Sequence, residues 1–112
     1  MTTIYRKVKL RELGFTSSTP LSAILAQVSR STCHLCVSTD LASIYYDFKG
    51  ALPPNTCFWV AMEPVLIKGR SYIRRIETDG YGEAELVLYW APLWFEFGPD
   101  CEFAFRLSEE SK

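Results

Sequence analysis

The residues in this 112-residue chain whose spacing most suggests chemistry are Cys33-His34-Leu35-Cys36. Thiolates two residues apart can both reach one tetrahedral zinc ion, with His34, Cys57 or Cys101 completing the set. Structural zinc sites usually draw on a second close pair of ligands. Cys57 and Cys101 instead stand apart in apolar strand patterns, where a thiol packs as a small hydrophobe. A redox dithiol would open a helix after a parallel strand, whereas this pair falls between two helical stretches. Plain thiols are the first expectation; zinc held by Cys33 and Cys36 is an alternative, and a redox pair or disulfide a further one. His34 is the sole histidine, so any imidazole chemistry must use it. In an extended chain it points away from Cys33.

Glu77, Asp79, Glu83 and Glu85 flank a turn and could bring carboxylates together. Acid–base work needs burial that splits their pKa values, and residues around an exposed turn seldom achieve it. A solvated acidic edge that discourages strand-to-strand aggregation is the simpler reading. Gly80-x-Gly82 lies in a hairpin and not in a strand-to-helix phosphate turn. No nucleophile elbow or metalloprotease motif occurs. The sequence points to no catalytic residues and no cofactor.

Two surfaces carry binding chemistry. Lys7, Lys9 and Arg11 recur on one side of an early strand, and Arg70, Arg74 and Arg75 cluster around another. With Tyr5, Tyr46 and Tyr72 nearby in type, such cations could track phosphates while aromatics stack bases. The slightly acidic net charge of −1 weighs against avid nucleic-acid binding. The second surface is aromatic: eight of the sixteen Phe, Tyr and Trp residues lie between Tyr81 and Phe105. Val87, Tyr89 and Trp94 fall on the face opposite the main apolar set, beside Glu83, Glu85 and Glu96. Exposed aromatics with a polar rim suit a protein-binding surface; a helix on each face, or curling of the sheet, would cover them instead.

The elements that position these residues follow from periodicity. From Tyr72 to Leu107 apolar and polar residues alternate, the pattern of strands with one buried face. Ala84, Leu86, Leu88 and Trp90 share the expected core face. Leu93, Phe95 and Phe97 continue it, as do Cys101, Phe103, Phe105 and Leu107. Ile4 to Leu10 reads as a strand with Val8 and Leu10 inward. Thr19 is placed to cap a helix with Pro20 at its first position, and Leu21, Ile24, Leu25 and Val28 form its stripe. Leu41, Ile44, Tyr45 and Phe48 predict a second helix, with Gly50 at a left-handed end; a strand through Ile44-Tyr45-Tyr46 is the alternative. Cys57 to Met62 is apolar on both faces, as in an interior strand. Val65-Leu66-Ile67 precedes Lys68-Gly69, and Asp79-Gly80 suits the positive backbone angles of a hairpin loop. The tail from Ser108 is polar and expected to fray.

These elements predict a single α+β domain over residues 1–112, an antiparallel sheet of five or six strands with one or two helices on one face. The hydrophobic content of 48% supports a true core. No apolar run approaches the ~20 residues of a membrane helix, and the start does not read as a signal peptide. Cytoplasmic residence, no membrane and reduced thiols are expected. Residues 1–75 carry ten Lys and Arg against four Asp and Glu, and residues 76–112 two against nine. Either the halves complement each other, or one sign forms a surface for a partner. The resulting expectation is a small non-enzymatic protein-binding module that inhibits or adapts a larger protein. Immunity proteins and phage-encoded inhibitors do such work, and the analogy is of size and character alone. The alternatives are a nucleic-acid-associated protein and a zinc-stabilised domain.

Overall fold

The computed structural model describes residues 5–28, 33–37, 39–48, 50 and 52–107. Its centre is a seven-stranded sheet. In chain order the elements are β1 (Tyr5–Lys9), a 3-10 turn (Leu10–Leu13), β2 (Thr19–Pro20), α1 (Leu21–Val28), β3 (Cys33–His34) and α2 (Asp40–Phe48). Then follow β4 (Cys57–Val60), β5 (Val65–Ile67), β6 (Arg70–Thr78), β7 (Ala84–Trp90), β8 (Glu96–Phe97) and β9 (Glu102–Leu107). Across the sheet, β7 pairs with β6, β6 with β4, β4 with β9, and β9 with β1. The short β5 extends β4's side of β6, and β3 pairs with the end of β9. β2 and β8 form a separate pair.

The sheet is mixed, which corrects the antiparallel expectation. β4 runs parallel to β9, Trp59 opposite Phe103 and Val60 opposite Ala104. Hairpin chemistry is local and visible at Lys68-Gly69 and Asp79-Gly80, but β4 and β9 meet across a long separation that no turn residue encodes.

The helices also divide between the faces instead of sharing one. Leu21, Ile24 and Leu25 of α1 pack with Val8, Ile73, Phe103 and Phe105. Leu41 and Ile44 of α2 pack with Phe58, Val60, Ile76 and Ala104 on the other side. Alternation along β9 forces this, since Phe103 and Phe105 point one way and Ala104 the other, and all three are buried. A central strand with both faces covered has no polar side.

Local entries differ from expectation in instructive ways. Thr19 does not cap α1, because it is paired in β2 and its hydroxyl donates to the Ser17 carbonyl at 2.9 Å. The first helical amides, Leu21 and Ser22, donate to the carbonyls of Phe95 and Leu93 at 2.9 and 3.0 Å. Backbone from the turn after β7 thus satisfies the orphan donors. The run Leu93 to Phe97 is a turn followed by the two-residue β8, not one longer strand. Helix α2 forms as expected, although Gly50 does not adopt a left-handed angle. In the β6–β7 loop it is Gly82, at φ 84°, and not Gly80 that does so. Asp79 Oδ1 accepts the amides of Tyr81 and Glu83 at 2.8 and 3.0 Å and shapes that loop. The tail from Ser108 lies outside the described residues.

Two of the three described ion pairs, Arg11–Asp100 and Arg75–Glu77, join a cation of residues 1–75 to a carboxylate of residues 76–112, whereas Arg106–Asp40 runs the other way.

Candidate protein-binding surface

Strand β7 is an edge, paired only with β6. The phase of that pairing follows from the bonds at its two ends. Asp79 N–H donates to the Glu83 carbonyl at 3.1 Å, and Ala91 N–H to the Ser71 carbonyl at 3.0 Å. Between them Glu85, Val87 and Tyr89 turn their backbone groups toward β6, while Ala84, Leu86, Leu88 and Trp90 turn theirs outward. The Tyr45 hydroxyl donates to the Ala84 carbonyl at 3.0 Å. Leu86, Leu88 and Trp90 remain as an open backbone edge.

Side chains near this edge are unusually apolar for a surface. Of eleven exposed large hydrophobics among the described residues, seven lie on β7 or in its flanking turns: Tyr81, Leu88, Tyr89, Trp90, Leu93, Trp94 and Phe95. Trp94 is 68% exposed and meets the Trp90 ring edge-to-face at 6.0 Å. Such a concentration is what marks interaction surfaces, single exposed apolar residues being ordinary.

The residues expected at a protein-binding site come together in part. Glu85, Val87 and Tyr89 share the α1 side of β7, with Glu83 in the preceding loop. Trp94 lies in the turn beyond the other end, and Glu96 follows in β8 opposite Pro20. Glu83, Glu85 and Glu96 are exposed, and Val87 is half-buried. Tyr89 has an internal role as well. The Arg75 guanidinium lies 3.9 Å from its ring centroid and 4.9 Å from that of Trp59, and donates both to the Tyr89 hydroxyl and to Glu77. This cation–aromatic stack holds Tyr89 against the sheet.

Trp90 and Leu88, expected in the core, are exposed. Helix α2 covers the first half of β7, where Leu86 packs against it, and leaves the second half uncovered. The unbroken apolar run Leu86-Val87-Leu88-Tyr89-Trp90 carried the signal, because an alternating half-buried strand would have interrupted it. Beside this uncovered stretch, α2 and β7 enclose an open groove of about 570 Å³, lined by Leu41, Ala42, Tyr45 and Tyr46 on one wall and Ala84, Glu85 and Leu86 on the other.

The basic residues expected to form one nucleic-acid face are dispersed. Arg75 lies on the α1 side in its aromatic stack. Lys7 lies on the α2 side, its ammonium 5.2 and 5.6 Å from the Phe58 and Phe48 rings. Arg11 pairs with Asp100 at 2.7 Å, and Lys9 is exposed on β1. Only Arg70 and Arg74 fall together, on the α2 side of β6 with Tyr72 between them and Trp90 opposite Tyr72.

Cys36 is buried, and its thiol donates to the Ala104 carbonyl at 3.7 Å. Burial, reinforced by the nearby Asp40 carboxylate, pushes the thiol up to about 12. The Cys33 side chain lies outside the described residues. Among the described residues no three His, Cys, Asp or Glu side chains gather in a way that could hold a metal ion.

A polar cluster that periodicity did not reveal lies beside Cys36. Asp40, buried in the first turn of α2, accepts the Tyr5 hydroxyl at 2.7 Å and the Val37 amide at 2.8 Å, with Arg106 Nε at 4.0 Å. Loss of solvent, then the hydrogen bond and charge of Asp40, raise the Tyr5 phenol to about 12. The Tyr5 and Val37 donors satisfy Asp40 and tie β1 to α2, while the buried Arg106 Nε makes no hydrogen bond among the described residues. No helix among the described residues is long and apolar enough to cross a membrane. Compared with protein-family models, with curated proteins and with solved structures, the chain matches none.

Proposed function

We propose that this protein is a small non-enzymatic binding module that engages a larger cytoplasmic protein, as an inhibitor or adaptor, through the far end of β7 and the turn that follows. The observation that carries the reading is the gathering of exposed Tyr89, Trp90, Leu93, Trp94 and Phe95 within a rim that includes Glu83, Glu85 and Glu96. Large aromatics are the usual anchors of interfaces, and a polar rim excludes water around them. Trp94 is the anchor of choice, being exposed and not part of the Arg75 stack.

Affinity capture of the tagged chain from source-cell lysate treated with nuclease tests this. One polypeptide should be retained near equal stoichiometry by the wild type and lost by Trp94→Ala, whose thermal midpoint should be unchanged. Retention undiminished in Trp94→Ala would refute this surface. Tyr89→Ala is a poorer probe, since it also dismantles the Arg75 stack.

A second reading rests on Arg70 and Arg74, which have no carboxylate partner among the described residues and flank Tyr72. Cations beside an aromatic can hold a single strand of nucleic acid. In that case binding to oligonucleotides weakens steeply with salt and is lost in Arg70→Ala/Arg74→Ala; salt-independent or absent binding excludes it.

A further inference from the structure

We infer that the open edge of β7 pairs with the same edge of a second copy of this chain, antiparallel and centred on Leu88. The inference shares Tyr89 and Trp90 with the binding reading above, whose anchor, Trp94, lies in the turn after β7.

The register follows from which backbone groups are free. Leu86, Leu88 and Trp90 present their N–H and C=O groups outward, and Tyr45 closes the row at Ala84. A two-fold axis at Leu88 sets Leu88 against its own copy and Leu86 against Trp90 of the other chain. Every outward donor then meets an outward acceptor.

Side chains agree with that register on both faces. On the α2 side each Leu86 meets a Trp90, and the two Leu88 residues meet each other. On the α1 side each Val87 meets a Tyr89. The one charge of the strand, Glu85, falls opposite Ala91, so no like charges are opposed. The groove between α2 and β7 adds an independent match. It opens on the α2 side at Leu86, lined also by Leu41 and Tyr45. This register delivers the exposed Trp90 of the other copy to its mouth. Trp90 is 54% exposed, Leu88 41% and Tyr89 37%, and the pairing buries all three from both copies as the apolar centre of the contact.

The opposite edge of the sheet shows what protection looks like. β1 carries Arg6, Lys7 and Lys9 among its five residues, the usual defence of an edge against strand addition. β7 lacks it.

Sedimentation velocity of the wild type at micromolar concentration should give twice the mass of the chain. Leu88→Pro, which removes an outward N–H without touching a bond to β6, and Trp90→Ala should each sediment as monomers with unchanged circular dichroism. In a Cys57→Ser background, Leu88→Cys should form an interchain disulfide on mild oxidation, and Leu66→Cys, more exposed but on β5, should not. That crosslink decides the matter even where Leu88→Pro fails to fold. A monomeric wild type would overturn the proposal, as would a dimer that survives Trp90→Ala and gives no Leu88→Cys crosslink. A monomer that loses a captured partner on Leu88→Pro would overturn it too, and would assign the edge to that partner. Trp94→Ala, outside the paired run Leu86 to Trp90, should keep the dimer while losing the captured partner, which tells failure of the pairing from failure of the binding reading.

Discussion

Tyr5 holds β1 to the start of α2 through one hydroxyl, and the consequence is a pH dependence of known sign. Its phenol is raised from 10 to about 12, so the folded chain holds that proton more tightly than the unfolded one. Stability from this group is complete below about pH 10 and is lost as the pH climbs toward 12. Cys36, raised from 9 to about 12, acts in the same direction from a lower starting point. Urea melts should therefore show stability falling above about pH 9, with a shallower fall in Tyr5→Phe. At neutral pH that variant should lose about 1–3 kcal/mol, because Asp40 is left a donor short in a buried position. An equal alkaline slope in the two proteins would contradict the assignment. The Tyr5–Asp40 contact and the Arg75–Tyr89 stack were illegible in the sequence for one reason. Each joins residues on different elements, and composition carries no record of which elements touch.

The hairpins are where local sequence speaks most directly. Lys68 and Gly69 both take positive backbone angles, φ 51° and 79°, the two-residue turn whose twist matches that of β5 and β6. A lysine in that conformation carries a steric cost that asparagine largely avoids. Lys68→Asn should raise stability by about 0.5–1 kcal/mol in a denaturant melt, and no gain would mean that the turn relaxes in solution. Gly82→Ala, at φ 84°, should lower it by about 1 kcal/mol or more. The strands beside these turns were legible because turn residues and alternation agree there, and α2 was legible from Leu41, Ile44, Tyr45 and Phe48. The entry to α1 was not, since Thr19-Pro20 reads equally well as a cap and as the short strand it forms with β8. Nor was the exposure of Leu88 and Trp90, which depends on where α2 stops.

At the scale of the whole molecule, β9 is the strand on which the sheet closes. β1, β3 and β4 all pair with it, and both core clusters draw on its residues. A chain ending before Glu102 should show no cooperative thermal transition by circular dichroism, whereas Arg11→Ala, breaking only an exposed ion pair, should change stability by less than about 0.5 kcal/mol. A truncated chain that still melts cooperatively would show that β9 adds to a sheet already stable without it. The α+β class was legible from residue types. The parallel pairing of β4 and β9 and the helix on each face were not, because they express long-range topology and not local pattern.

The inequality of the two sheet edges sets a limit on growth. A sheet open at both margins can add copies without end, and such additions build fibres. Here Arg6, Lys7 and Lys9 line one margin, and the apolar run from Leu86 to Trp90 the other. Copies joined through β7 turn their cationic β1 margins outward, so no further copy adds at β1. Neutralising Lys7 and Lys9 should remove that stop, and sedimentation should then show species larger than the dimer.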